Sequence, residues 1–197
     1  MTTAQISVFF ATLSLACWTG TLVAVAALLG RRGGPRATAI YEGLGGLALW
    51  LAWVVATVAT VGSLYYSLVA HFEPCELCWY QRICMYPLSA VLLVAAIRRD
   101  AGGWRFALPQ AAVGAVIAAY HTQLQAFPTQ ATFCSSFNPC TARYVWEFGF
   151  VSLPFMALAA FCFIITMLLV SRSHRADAAM TTSCDEEPVD LPAMAGS

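Results

Sequence analysis

The residues with the clearest chemical potential are cysteines. Of the eight in the chain, Cys75 and Cys78 form a CxxC in Pro74-Cys75-Glu76-Leu77-Cys78. The apolar run that follows predicts that this motif opens a helix, where unpaired backbone N–H groups and the helix dipole favour a thiolate. Arg82 lies one turn beyond Cys78, on the same helix face. A thiolate stabilised there makes Cys78 a better leaving group in disulfide exchange. A second pair, Cys134 and Cys140, occupies Phe133-Cys134-Ser135-Ser136-Phe137-Asn138-Pro139-Cys140, where the Asn-Pro turn allows a compact disulfide-closed loop. Such exposed loop disulfides suit exchange, or simply staple a loop. Cys17, Cys84 and Cys162 fall in apolar stretches and read as small core hydrophobes. Cys184, in the acidic tail, reads as a free thiol.

The elements that hold these residues are set by composition. With 60% hydrophobic and 10% charged residues, the chain carries more apolar surface than a soluble domain can hide. It reads as an all-α, polytopic membrane bundle with helices near 6–30, 44–70, 77–97, 106–124 and 150–171. The run from Ile83 to Ile97 reaches only roughly 22 Å, against a hydrocarbon core of roughly 30 Å. The third helix must therefore start near Glu76 or Leu77, leaving Cys78 in its first turn and Arg82 at the hydrocarbon edge. The net charge of +0 offers nothing to a nucleic acid.

Orientation follows from the arginines, since short cytoplasmic loops are enriched in basic residues. Arg31, Arg32 and Arg36, then Arg98, Arg99 and Arg105, then Arg172 and Arg175 mark three alternating segments as cytoplasmic. The N-terminus and both cysteine pairs then lie outside the cytoplasm, where disulfides persist, and the C-terminus lies inside. Residues 1–175 form the five-helix unit. Residues 176–197, with Asp177, Asp185, Glu186, Glu187 and Asp190, read as a disordered cytoplasmic tail.

A thiolate at the bilayer edge beside a lipid-soluble electron acceptor is the arrangement that quinone reduction requires. An arginine in that position marks a functional site, or it snorkels to the headgroups. His121, near the outer end of the fourth helix at the depth of Arg82, either bonds a quinone carbonyl or caps a helix end through one neighbour. A zinc site is set aside, because the Cys134 to Cys140 spacing departs from paired tight hairpins, and no metal is expected. The competing reading is a non-catalytic membrane protein with two structural disulfides.

The run Cys75-Glu76-Leu77-Cys78-Trp79-Tyr80-Gln81-Arg82, with Met85-Tyr86-Pro87 and the later Phe148-Gly149-Phe150 and Leu153-Pro154-Phe155, resembles the disulfide-bond formation proteins of the DsbB type. The short Cys134 to Cys140 interval is similar to the BdbC branch rather than to the enterobacterial proteins, whose longer loop bears an interfacial helix. In vitamin K epoxide reductase-like enzymes the loop pair precedes the CxxC, and here it follows. The resemblance covers about Leu44 to Val170. It implies a four-helix core in a bacterial inner membrane, to which this chain adds one N-terminal transmembrane helix of no assigned role. It also implies disulfides Cys75–Cys78 and Cys134–Cys140, a soluble or anchored extracytoplasmic DsbA-like partner of thioredoxin fold, and ubiquinone or menaquinone as acceptor. Cys134 would form the mixed disulfide with the partner and Cys140 would resolve it. Cys75 would exchange with the loop pair, while Cys78 and Arg82 would face the quinone.

Overall fold

The computed structural model describes residues 2–99, 102–130, 134 and 139–185. Five long helices make up the fold: α1 (Thr3–Gly30), α2 (Pro35–Leu68), α3 (Glu76–Arg98), α4 (Trp104–Ala126) and α5 (Leu153–Asp185). Four of them, α1, α2, α3 and α5, are long and apolar enough to cross a membrane. α4 matches α3 in length, at 23 residues, but Gln110, His121, Gln123 and Gln125 dilute its apolar character. It packs between α3 and α5.

The side chains are sorted as a bilayer demands. On α1 the buried positions are small or polar, Ser7, Ala11, Ser14, Thr21, Ala24 and Ala27. The large apolar Phe9, Leu22 and Leu29 are exposed. In water this would be inside out. In lipid, apolar side chains lose nothing by facing outward, and small residues let helices approach closely.

Contacts between α2 and α3, α3 and α4, α4 and α5, and α5 and α2 close a four-helix ring, and α1 lies in the groove between α2 and α5. Ala48, Ala52 and Ala56 on α2 and Ala107, Ala111 and Ala118 on α4 face a core built from Leu88, Leu92, Phe161, Ile164 and Leu168. The closest approach is at Gly114, where a Cβ would lie 2.3 Å from the Phe161 ring. Phe161 is fully buried, so its ring can yield only by repacking its neighbours. Gly114→Ala is therefore expected to cost about 1–3 kcal/mol, seen as a lower unfolding temperature in detergent.

Several boundaries differ from expectation. α2 begins at Pro35 rather than near 44, because proline suits the first helical position and its missing N–H costs nothing there. The fifth helix begins at Leu153 rather than 150. Residues 147–151 instead form a tight turn, with Phe148 and Gly149 at φ of 52° and 81° and a bridge between Glu147 and Val151.

At its other end α5 runs on to Asp185, so residues 176–185, expected to be disordered, are helical. Alanine-rich sequence favours this, and tertiary contacts hold it. Tyr41 Oη donates to Asp177 at 2.8 Å, Arg31 lies 3.7 Å from the same carboxylate, and Arg175 donates to the Arg99 carbonyl at 2.6 Å. Tail residues 186–197, and residues 135–138 between the loop cysteines, lie outside the described residues.

Candidate functional site

α3 starts with a cysteine as its cap. Cys75 has extended backbone at φ −72° and ψ 171°, and its sulfur accepts the Cys78 N–H at 3.4 Å, in the role an N-cap oxygen usually plays. The helical turn that follows brings the Cys78 sulfur to 2.9 Å from that of Cys75. The pair is a dithiol in this structure, whereas Cys134 and Cys140 are joined by a disulfide with their Cα atoms 5.8 Å apart. All four cysteines share one apolar cluster with Leu77 and the fully buried Leu124. Within it Cys75 and Cys140 are buried, at 5% and 1% exposure. Cys134 and Cys78 are only half-buried.

His121 joins the two pairs. It is buried, and its Nε2 lies 3.0 Å from the Cys140 carbonyl and 3.7 Å from the Cys75 sulfur. Its Nδ1 lies 3.0 Å from the Gln81 amide nitrogen. With that amide donating to Nδ1, the ring proton belongs on Nε2, pointing at Cys140 and Cys75. Of the two roles open to His121 in the sequence, the contacts it makes are to protein: one to Gln81 and two around the cysteines.

Sequence reasoning passed over Gln81, Gln125 and Arg143. Gln125 Nε2 donates to the Ala142 carbonyl at 3.0 Å. Arg143 donates to the Gln125 carbonyl and lies 4.0 Å over the Trp146 ring. Together they clamp the loop after Cys140 onto the end of α4. A signal was present: Gln81 is three residues after Cys78 and Gln125 four after His121, so each shares its neighbour's helix face.

The helix terminus acts on Cys75 rather than on Cys78, the cysteine to which spacing assigned it. Cys75 receives the Cys78 thiol first of all, then His121, and these outweigh burial to lower its pKa to about 4 from an ordinary 9.0. Stabilising the thiolate stabilises the reduced pair and so strengthens its disulfide as an oxidant. That gain is full above 9.0, shrinks as pH falls and is gone below about 4. Alkylation of reduced Cys75 by a small reagent, limited by access to its buried sulfur and followed by mass spectrometry, is expected to hold its rate through mild acid and to slow only as pH falls through about 4. His121→Ala removes a donor and moves that midpoint upward.

The hydrogen bonds of Arg82 go to α2 and not to a sulfur. It donates to the Ser63 carbonyl at 3.3 Å and to Ser67 Oγ, and stacks 5.3 Å from the Trp79 ring, pinning α3 to α2. Beside it opens an apolar cavity of about 200 Å³, lined by Cys78, Gln81, Arg82, Met85 and Tyr86 of α3 and by Val54, Val58 and Phe161 among others. Cys78 also borders a smaller cavity shared with Cys75, His121 and Gln125. It is thus the sulfur common to the cysteine cluster and the apolar space. The ligating atoms of Cys75, Cys78 and His121 lie within 4.8 Å of one another, a group among the described residues that could hold a metal ion. Closing the Cys75–Cys78 disulfide would remove two of its three ligands.

Comparison with known proteins agrees with this arrangement. Residues 46–191 match the family described as disulfide bond formation protein DsbB. Disulfide bond formation protein C of Bacillus subtilis is 41% identical over 131 residues, covering 66% of this chain and 95% of that protein. The probable disulfide formation protein of Coxiella burnetii strain Dugway is 41% identical over 133 residues, 66% of this chain and 90% of its own length. The probable disulfide formation protein C 1 of Bacillus cereus is 45% identical over 117 residues, 58% of this chain and 84% of its own. No solved structure matches the chain. The family match spans α3, α4, α5 and most of α2, together with all four clustered cysteines. The chain therefore belongs to the DsbB family and is a multi-pass membrane oxidoreductase of disulfide bond formation.

Proposed function

We propose that this protein reoxidises an extracytoplasmic, DsbA-like thiol oxidase of thioredoxin fold and passes the electrons to a membrane quinone, through Cys134–Cys140 and then Cys75–Cys78. The observation that carries the reading is the position of Cys78, which borders both the cysteine cluster and the apolar cavity. The arginine-rich end of the bundle faces the cytoplasm and the cysteine end faces outward.

A donor thiolate attacks the half-buried Cys134 sulfur, forming a mixed disulfide and releasing Cys140 as thiolate. The donor's second thiolate then breaks the mixed disulfide, leaving the donor oxidised and the loop pair as a dithiol. Buried Cys140 next attacks Cys75, breaking Cys75–Cys78 and freeing the Cys78 thiolate, and Cys134 completes the exchange to restore the loop disulfide. Each exchange moves two electrons and two protons, and no atom is lost. His121, whose Nε2 proton lies between the Cys140 carbonyl and the Cys75 sulfur, is suited to stabilise the Cys75 thiolate that the exchange releases. As Cys75–Cys78 closes again, two electrons and two protons leave the pair.

A bound quinone would supply the acceptor for them. The cavity suits such a group, with mostly apolar walls and with Arg82 one helical turn from Cys78 in its lining. Anaerobic quinone reduction by the purified protein with a reduced thioredoxin-fold donor tests this reading. Turnover by wild type that is lost in Cys134→Ser is expected. Inactivity with ubiquinone and menaquinone analogues alike, across several donors, would leave the cysteines as structural disulfides.

A further inference from the structure

The family match begins at residue 46, within α2, so α1 lies wholly outside it. α1 is nonetheless built into the cavity. Phe10, Leu13, Ser14 and Cys17 form one side of it, facing Cys78 and Arg82 of α3 and Val54 to Tyr66 of α2. These positions, 10, 13, 14 and 17, follow the helical repeat of a single face.

That face is held in register at the cysteine end. Tyr66 Oη donates to Ser7 Oγ at 3.2 Å in a buried contact. The Phe10 and Tyr66 rings lie 6.0 Å apart. Gly62 leaves room for Phe10, since a Cβ there would lie 2.9 Å from its ring. Further along, a Cβ on Gly20 would meet Phe163 of α5 at the same distance. Without α1, the groove between α2 and α5 would open this cavity sideways to lipid. With it, the space is walled on four sides by α1, α2, α3 and α5.

We propose that α1 is the fourth wall of the acceptor site, and that Leu13 and Cys17 select the quinone by the fit of its isoprenoid tail. The proposal rests on the quinone reading above. Gln81 and Arg82 of α3 line the cavity together with Cys78, whereas α1 contributes Phe10, Leu13 and Cys17, with the Ser14 hydroxyl taken up by the Ala11 carbonyl of its own helix. The quinone ring therefore belongs beside Cys78, and the first tail units run along α1. An apolar pocket discriminates by volume, at a factor of about 10 to 200 per methylene-sized change.

The test measures binding directly, by quenching of the protein's tryptophan fluorescence in detergent, with a tailless quinone and with analogues carrying short isoprenoid tails. Thiol exchange between Cys134 and a reduced donor is followed in parallel as a check that the cysteine end is intact. Wild type is expected to bind tailed analogues more tightly than the tailless ring. Leu13→Trp, which fills the cavity, and the milder Leu13→Ala, which enlarges it, are both expected to change that tail increment about tenfold or more. The exchange rate should stay close to wild type in both variants, and in Leu13→Ala the affinity for the tailless ring should change less than the affinity for the tailed analogues. If wild type shows the tail increment and both variants keep it unchanged, α1 is not a wall of the site and the inference falls alone. If wild type binds no quinone, with or without a tail, the acceptor reading falls and takes this inference with it.

Discussion

A donor that retains only its attacking cysteine is expected to be captured by wild-type protein as a mixed disulfide at Cys134, and not at Cys140. The reason is access. Cys134 is half-buried, whereas Cys140 is 1% exposed and packed with Cys75 and Leu124. Disulfide exchange requires the incoming thiolate to approach one sulfur along the S–S axis, and only Cys134 offers a path from outside. Cys134→Ser should abolish capture and lower quinone-dependent turnover at least about 10³-fold, the scale of losing a covalent nucleophile. Mass spectrometry of the cross-linked peptide distinguishes the two sulfurs. Capture at Cys140 would mean that the loop opens before exchange and that the buried arrangement is not the reactive one.

Cys78→Ser is expected to produce an equally large loss by a different route. The donor still reaches Cys134–Cys140 and reduces it, so capture at Cys134 persists. Cys75 then has no partner with which to form a disulfide, and electrons stop at the loop pair. Turnover should fall at least about 10³-fold, while a burst of donor oxidation matching the loop disulfide alone remains. The burst separates this outcome from misfolding, which would abolish both. Steady quinone reduction by Cys78→Ser would move the exit point for electrons to another sulfur and dissociate the apolar cavity from the reaction.

Much of the architecture was legible in the residue pattern. Long apolar runs broken by arginines specify helices of bilayer length, and the shortness of Ile83 to Ile97 placed the start of α3 near Glu76, where the helix begins. The CxxC was legible as a helix opening for the same local reason. Boundaries were less legible. Pro35 is at once a helix breaker and a good first residue, and residues 176–185, with Asp177 and Asp185, read as unstructured until Asp177 is seen to meet Tyr41 and Arg31.

The sequence by itself singled out the residues proposed to carry the chemistry, because a CxxC at a helix start, an arginine at i+4 and a second cysteine pair are local features. Only the tertiary structure decided how they are wired. His121 meets Cys75 across 46 positions of chain and Cys140 across 19, Gln81 orients His121, and Arg82 hydrogen-bonds to Ser63 of α2. α1 is the clearest case: a run apolar on every side shows nothing in sequence of which face it buries, and only its packing against Gly62 and Tyr66 turns Phe10, Leu13 and Cys17 toward the cavity. Periodicity reports on neighbours a few residues apart, and these contacts depend on which helices lie side by side.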